Sequence, residues 1–328
     1  GFLAGLMHAP DEAFSQTVDY IRICSAGAVF IIAYNVLGSI FRGIGDSRMP
    51  LFTVAAACVF NIGGDLLLVA GFHMGAAGAA LATVAAQAAG VLLSLAVIRR
   101  RTLPFTIGKK NLRFERRLVG KILALGTPIA LQDLLVSISF LVILAIVNSM
   151  GVIASAGVGV AEKLCAFIML VASAYMQSMS AFVAQNMGAG KPERAKRALL
   201  YGIGTSLMAG VTLFYFSFFH GDAMAGIFAR DPQVVAAAAD YLKAYAIDCI
   251  LTSFLFCFVG YFNGCGKTFF VMVQGIVGAF CVRIPVSWFM SRMAGVTLFK
   301  ISSAVQILLC AAYFIWLSGR SRKHRTSA

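Results

Sequence analysis

The segment DYIRICSAGAVFIIAYNVLGSIFRGIGDS, residues 19–47, recurs in diverged form as DYLKAYAIDCILTSFLFCFVGYFNGCGKT, residues 240–268. The two copies align without a gap. Both begin with Asp-Tyr, carry a basic residue three positions later and end with a Gly-x-Gly pair. Each copy is long and apolar enough to cross a bilayer as a helix, which takes about 20 residues. The recurrence indicates a duplicated unit of membrane-spanning helices.

The composition of the whole chain is that of a membrane protein. Of its 328 residues 60% are hydrophobic and only 12% charged, with a mean hydropathy of +0.88. A soluble protein has about 25% charged residues. Ten-residue segments of alternating polarity are absent, which favours a helical bundle over a transmembrane β-barrel. The expected fold class is therefore all-α, a polytopic transmembrane helical bundle.

The eight cysteines do not predict a metal or redox site. They lie singly, mostly within apolar runs, and no CxxC pair or Cys/His ligand spacing is present. Isolated cysteines of this kind are usually small buried apolar residues. We expect no cofactor and no permanently bound metal.

Nine apolar segments have the length of a membrane span. They cover residues 15–41, 50–70, 75–98, 118–147, 152–185, 196–219, 234–262, 269–291 and 296–317. The second copy of the repeat comes six spans after the first, so both copies cross the membrane in the same direction. Parallel repeats of this kind are typical of transporters built from two pseudo-symmetric lobes.

The repeat also divides the chain. We predict a partial N-terminal lobe at residues 1–98 (the tail of a third helix and helices four to six), a basic cytoplasmic linker at 99–117, a C-terminal lobe of helices seven to twelve at 118–317, and a basic cytoplasmic tail at 318–328. Two lobes of six helices are expected from the symmetry. Most of the first three helices of the first lobe would then be absent from this sequence.

The connections between spans alternate in charge. Lysine and arginine are concentrated in every second connection, above all in residues 99–117 and in the C-terminal tail. Basic connections face the cytoplasm in helical membrane proteins. We therefore expect a multi-pass protein of the cytoplasmic (inner) membrane, with its basic loops and C-terminus inside. The net charge of +14 then reflects topology and contact of the 99–117 loop with anionic lipid headgroups, and no nucleic-acid partner is expected.

Five stretches resemble one known family, the multidrug and toxic compound extrusion (MATE) transporters. They are FRGIGDSRMPL (41–51), NIGGDLLLV (61–69), GAAGAALAT (75–83), GTPIALQ (126–132) and AFVAQNMGAGKPERAKRA (181–198). The resemblance implies two six-helix bundles and a secondary-active efflux antiporter rather than an enzyme. It implies export of organic cations or amphipathic compounds in exchange for H⁺ or Na⁺, by a chain expected to be a monomer.

The DinF-like branch of that family has its coupling site in the N-terminal lobe. Its Asn-x-x-x-Asp pair is matched by Asn61 and Asp65, and its threonine on the next helix by Thr83. Residues four apart share one helix face, and an ionised carboxylate in the membrane costs about 2.5–3.5 kcal/mol. Asp65 is thus a candidate seat for a proton or a transient Na⁺. The alternative is a protonated Asp65 that only bonds a neighbouring helix.

The other branch of the family has two acids in the C-terminal lobe, which align here with Val136 and Thr252. Acidic residues lie about one turn away from both positions. The candidate secondary polar site therefore comprises Gln132, Asp133, Tyr245 and Asp248. Helix packing is the alternative role for Asp133, and an ion pair with Lys243 or Arg230 is the alternative for Asp248.

Two further features of the C-terminal lobe suggest roles. Met176, Gln177 and Met179 are candidates for a substrate cavity, since methionine adapts to varied apolar ligands. Glu162 requires a partner, and Arg283 and Lys300 are the candidates. For Glu162 we expect a structural charge network rather than a substrate site.

Two other functions remain as alternatives. A flippase for a lipid-linked or polysaccharide precursor would have a wider, basic cavity, whereas deep cations are few here. A non-transporting scaffold or receptor would be insensitive to ion gradients. An enzyme is not expected, because neither HExxH nor GxSxG occurs in the sequence.

Overall fold

The computed structural model describes residues 11–100, 114–148, 151–293, 310–312 and 314–315, and all regular structure in these ranges is helical. The all-α prediction is confirmed. The chain forms two compact units, Gly1–Arg113 and Phe114–Ala328. The start of the chain, most of the predicted linker at 99–117, most of the predicted span at 296–317 and the basic tail lie outside the described residues.

The described residues of unit 1 form four helices and one π-helical segment. These are α1 (Asp11–Ala26), α2 (Ala28–Gly43), α3 (Arg48–Asp65), the π segment Leu66–Gly71 and α4 (Gly75–Arg100). Helix α3 continues through the π segment as a single span of 24 residues.

Unit 2 contains the remaining described helices. They are α5 (Arg116–Asn148), α6 (Val152–Gly188), α7 (Pro192–Phe219), the short α8 (Gly221–Gly226), α9 (Pro232–Gly264), α10 (Thr268–Ile276), a second π segment (Val277–Arg283) and α11 (Ile284–Met293). Within the described ranges, seven helices are long and apolar enough to cross a membrane. They correspond to seven of the nine predicted spans.

The span predicted at 15–41 is broken into two helices. Helices α1 and α2 meet at a bend of 56°, and together they qualify as an eighth span. The break falls at Gly27, where any side chain would collide with the side chain of Val84 on α4. Gly27 therefore lets the two helices lie close to α4, and continuous hydropathy could not reveal the bend.

The two copies of the repeat end in the same turn. Asp46 N donates to Phe41 O at 3.0 Å and Gly45 N to Arg42 O at 3.1 Å; the equivalent bonds are Lys267 N to Phe262 O at 2.9 Å and Gly266 N to Asn263 O at 3.0 Å. This pair of bonds defines a Schellman cap, which places a left-handed residue just past the helix. The second glycine of each Gly-x-Gly pair takes that conformation, with φ of 88° at Gly45 and 71° at Gly266.

A third copy of this turn ends α6. Lys191 N donates to Asn186 O at 2.8 Å and Gly190 N to Met187 O at 3.1 Å, and Gly190 has φ of 70°. All three turns lead directly into the next helix. They fix the ends of α2, α6 and α9.

Helix α9 forms the centre of unit 2. It is the most buried of the candidate spans and packs against α6 and α7. Gly260 and Gly264 permit this packing, because a Cβ atom at either would lie within 2.7 Å of a main-chain carbonyl oxygen of α6. Small residues four apart are typical of closely packed membrane helices. The two glycines of GYFNG (260–264) therefore serve close helix packing.

Candidate functional site

Unit 1 brings the three predicted coupling residues onto two facing helices. Asn61 and Asp65 lie one turn apart on α3, and Thr83 lies on α4. Asn61 Nδ2 donates to Thr83 Oγ1 at 3.5 Å, at the long limit for a hydrogen bond, and Thr83 Oγ1 donates to Ala79 O at 2.9 Å. The close approach depends on Gly64, since a Cβ atom there would be 2.9 Å from the Cβ of Ala82.

Asp65 carries a buried oxygen that is not hydrogen-bonded. Its Oδ1 atom is inaccessible to solvent and has no hydrogen-bond partner. Buried polar atoms are nearly always paired, because an unpaired one forfeits its bonds to water. A proton on the carboxyl, or a cation beside it, would remove that deficit.

The backbone changes its hydrogen-bond pattern immediately after Asp65. Helix α3 ends at Asp65 and the π segment Leu66–Gly71 begins, with Phe72 N donating to Leu67 O at 3.0 Å. Short π-helical segments inside α-helices occur frequently at functional sites. This segment was not predicted, because no proline or polar pair marks it.

Two further residues of unit 1 were not predicted from the sequence. Tyr20 on α1 is close enough to Asp65 to be influenced by its charge. Gln87 lies one turn after Thr83 on α4, and its Oε1 atom is buried without a hydrogen-bond partner. The spacing of four between Thr83 and Gln87 was the available signal for the glutamine.

Among the described residues of unit 2, two cavities share one wall. The first cavity, of about 310 Å³, is lined by Phe140, Glu162, Cys165, Ala166, Met169, Tyr241, Tyr245, Asp248 and Arg283. The second cavity, of about 290 Å³, is lined by residues of α5, α6, α9, α10 and the second π segment. Phe140, Met169, Asp248 and Arg283 line both.

All four residues of the predicted secondary polar site lie at these cavities. Gln132 and Asp133 line the second, Tyr245 lines the first, and Asp248 lines both. Val136 and Thr252 also line the second cavity, as does Gln274, whose buried Oε1 has no hydrogen-bond partner. The sequence-based alternative of an Asp248–Lys243 pair is not what the structure shows, since Lys243 Nζ lies 3.6 Å from Asp240 Oδ1.

The three candidates for a substrate cavity are separated. Met176 lines the second cavity. Met179 is buried in the core, where a Cβ atom built at Gly260 would lie 3.0 Å from the Cβ of Met179. Gln177 is exposed. Of the three, Met176 alone is among the residues that line the second cavity.

Arg283 lies in the wall that the two cavities share, and the sequence suggested it only as a candidate partner for Glu162. The guanidinium carbon of Arg283 lies 4.8 Å from the centre of the Phe140 ring, and the charge of Asp248 attracts it. Glu162 faces the first cavity. Within the described part of the chain it takes part in none of the ion pairs shorter than 4 Å, and Lys300 lies outside that part.

The described residues contain no cluster of three or more His, Cys, Asp or Glu side chains that could hold a metal ion. Asp65 with Asn61 and Thr83 offers carboxylate, amide and hydroxyl oxygens, which are the ligand types that hard cations prefer.

The sequence profile of the MatE family matches residues 1–67 and 128–289, well over half of the chain. Two curated relatives extend the similarity to nearly its full length. The "Probable multidrug resistance protein YpnP" of Bacillus subtilis is 27% identical over 97% of this chain and 72% of its own length. The "Multidrug export protein MepA" of Staphylococcus saprophyticus is 26% identical over 94% of this chain and 68% of its own length.

Solved structures show the same fold. A crystal structure of MATE in the bent conformation superimposes with a TM-score of 0.86 at 20% identity, covering 99% of this chain and 74% of the other. A MOP superfamily transporter from Pyrococcus furiosus superimposes with a TM-score of 0.87 at 20% identity, covering 98% and 72%. On the family match, supported by this fold and its membrane spans, the chain is a multi-pass membrane protein that belongs to the MatE family of multidrug and toxic compound extrusion transporters, which are not enzymes.

Proposed function

We propose that this protein is a secondary-active antiporter that exports amphipathic or cationic small molecules in exchange for H⁺ or Na⁺, with Asp65 as the coupling residue. Relatives named for multidrug resistance and multidrug export support the substrate class. The single observation that carries the coupling role is the buried Oδ1 of Asp65, which has no hydrogen-bond partner.

In the proposed mechanism, the carboxylate of Asp65 is a site that alternately binds and releases H⁺ or Na⁺. The ion or proton enters from outside, neutralises the carboxyl and supplies the contact that its buried oxygen lacks. Thr83 and Asn61 complete the seat with a hydroxyl and an amide. A ligand shifts a conformational equilibrium only by its differential affinity for the two states. Asp65 must therefore hold its ion more tightly in one state than in the other.

The proposed orientation places the Gly-x-Gly turns in the cytoplasm of a cell whose inner membrane holds the protein. The turn after α6 carries Lys191 and the turn after α9 carries Lys267. Basic residues at these positions follow the positive-inside rule, and anionic lipid headgroups are their proposed partners, together with those of the 99–117 loop.

The test is dye efflux from proteoliposomes with an imposed Na⁺ or pH gradient. The Asp65→Asn variant of the intact protein should reduce efflux to the level of protein-free liposomes, because the amide cannot bind and release a proton. Asp240→Asn is the matched control, since Asp240 lies on the surface in an exposed ion pair and its loss should leave efflux unchanged. Normal efflux by the Asp65→Asn variant would exclude the coupling role, and comparison of the two gradients identifies the ion.

A flippase of acidic lipid-linked precursors is less compatible with the lining of the described cavities. Three carboxylates, Asp133, Glu162 and Asp248, face one guanidinium there. An acidic headgroup would be repelled by this excess of negative charge, whereas a cation would be attracted.

A further inference from the structure

One charged side chain, that of Arg283, lies in the wall that the two cavities of unit 2 share. Arg283 is the last residue of the second π segment, and it lines both cavities together with Phe140 and Asp248. Its guanidinium carbon lies 4.8 Å from the Phe140 ring centre. A planar cation therefore already lies over an aromatic face, within the field of a carboxylate.

An aromatic face beside a carboxylate is what recognises an organic cation. Ring faces attract cations located within about 6 Å of the centroid, by about 0.5–2 kcal/mol according to how far the pair is desolvated. The guanidinium is delocalised and weakly hydrated compared with an ammonium group. In shape and charge it therefore resembles the planar cationic compounds that a multidrug exporter would carry.

The charge of the lining permits a second cation to enter. Asp133, Glu162 and Asp248 are its carboxylates and Arg283 its one guanidinium. Glu162 lies in the wall of the first cavity and is in none of the close ion pairs of the described residues. When Arg283 moves, its guanidinium can pair with the carboxylate of Glu162 in the same cavity.

We propose that Arg283 occupies the place of the substrate in the first cavity, and that a planar organic monocation binds there by displacing the guanidinium from Phe140. The bound compound stacks on Phe140 and is neutralised by Asp248, while Arg283 turns toward Glu162. The π segment that ends at Arg283 supplies the movement, because π and α hydrogen-bond patterns are close alternatives for the same residues. Neutral and anionic compounds cannot compensate the loss of the guanidinium from this site and are excluded.

This inference rests on the proposed function only for the class of substrate. It assigns Glu162 a role at a ligand site, in contrast to the structural charge network expected from the sequence. It also explains why Arg283 can be tolerated within a membrane span, because the guanidinium occupies the substrate's place beside Phe140 and Asp248 when no substrate is bound.

The test is equilibrium binding of ethidium, a planar aromatic monocation, to the intact purified protein in detergent without any ion gradient, followed by fluorescence polarisation. Arg283→Gln removes the competing guanidinium and should tighten ethidium binding about fivefold or more. In the Arg283→Gln protein, where no guanidinium occupies the ring, adding Phe140→Leu removes the aromatic face and should weaken binding about 2-fold to 30-fold, the range that corresponds to the strength of a cation–π contact. Fluorescein, an anionic planar dye, should bind none of these proteins.

A matched control exists elsewhere in unit 2. The guanidinium carbon of Arg194 lies 5.7 Å from the centre of the Phe182 ring, and neither residue is among those that line the two cavities. Arg194→Gln and Phe182→Leu therefore remove the same kind of pair at another place. Both should leave ethidium binding within twofold of the unchanged protein.

Unchanged or weaker binding by folded Arg283→Gln would overturn the proposal, and so would binding that is undiminished when Phe140→Leu is added to Arg283→Gln. If Arg283→Gln does not elute as a folded protein, Arg283→Lys replaces it. A lysine retains the charge but cannot stack as a plane, so tighter binding than in the unchanged protein is again expected, and equal or weaker binding again contradicts the proposal.

The outcome is separable from that of the coupling test. Asp65→Asn should bind ethidium normally, because the assay needs no gradient. Binding that responds to Arg283 in a protein without coupled efflux would refute only the proposed antiport. Coupled efflux in a protein whose ethidium binding ignores Arg283 and Phe140 would refute only the displacement proposal.

Discussion

Replacing Gly260 by alanine should separate two helices that the structure packs unusually closely. A Cβ atom built at Gly260 lies 2.5 Å from Met176 O and 3.0 Å from the Cβ of Met179, both on α6. Ordinary contacts begin near 3.4 Å. The partner atom is main-chain and cannot rotate away, so α6 and α9 must move apart by about 1 Å, a displacement that tight packing resists.

The expected magnitude combines two opposing terms. Overpacking of this kind costs about 1–3 kcal/mol, while alanine gains about 0.5–1 kcal/mol over glycine within a helix. The net loss is about 1–2 kcal/mol. At about 2–4 °C per kcal/mol for a unit of this size, the apparent melting midpoint should fall by about 2–8 °C.

Gly204 provides the matched control. It lies inside α7, and a Cβ atom there meets nothing within 4 Å. Gly204→Ala should therefore show the propensity gain alone, a rise of about 1–4 °C. The assay is thermal unfolding of the purified protein in detergent, followed by the fraction that still elutes as a monodisperse peak. A midpoint for Gly260→Ala at or above that of the unchanged protein would refute the packing argument.

Three further predictions concern the turns and ends of helices. Gly45→Ala should destabilise the protein by about 1–2 kcal/mol in the same thermal assay, because φ at Gly45 is 88°, whereas Gly43→Ala, with nothing within 4 Å of a Cβ, should not. Asp231→Ala should lose about 0.5–2 kcal/mol, since its carboxylate accepts the backbone N–H of the second helical residue of α9 at 2.9 Å, and Asp231→Asn should retain most of that. In cells, a membrane-impermeant maleimide should label Asp222→Cys from outside, but Lys267→Cys only after permeabilisation; the reverse pattern would contradict the orientation.

The sequence predicted those features that a single helix carries. Hydropathy located the spans because each needs a run of apolar residues whatever its neighbours are. Asn61 and Asp65 were predicted to share a face because a spacing of four determines this within one helix. The Gly-x-Gly pairs at Gly45 and Gly266 were visible for the same reason, since the Schellman turn is local.

Apart from the two polar sites that the family resemblance indicated, features that several helices form together were not predicted. The bend at Gly27 depends on Val84, which lies on another helix. The cavities of unit 2 combine residues from α5, α6, α9 and the second π segment, so no spacing within one helix could indicate that Phe140 and Arg283 meet. Arg283 was one of two candidate partners for Glu162, but the sequence did not indicate that both residues line one cavity.

Both π segments in the described part of the chain adjoin ionisable groups, and this suggests a common physical reason. Asp65 lies directly before one segment and Arg283 ends the other. A charged side chain within a membrane span is stable only while it has a partner, and in a transporter that partner changes between states. An ordinary α-helix holds each side chain at a fixed angle to its neighbours, so a change of partner would require the whole helix to rotate. A π segment can exchange hydrogen bonds over a few residues, which redirects one side chain while the rest of the span stays packed. Asp65 and Arg283 must exchange partners between states, and the π segments lie where this exchange requires them.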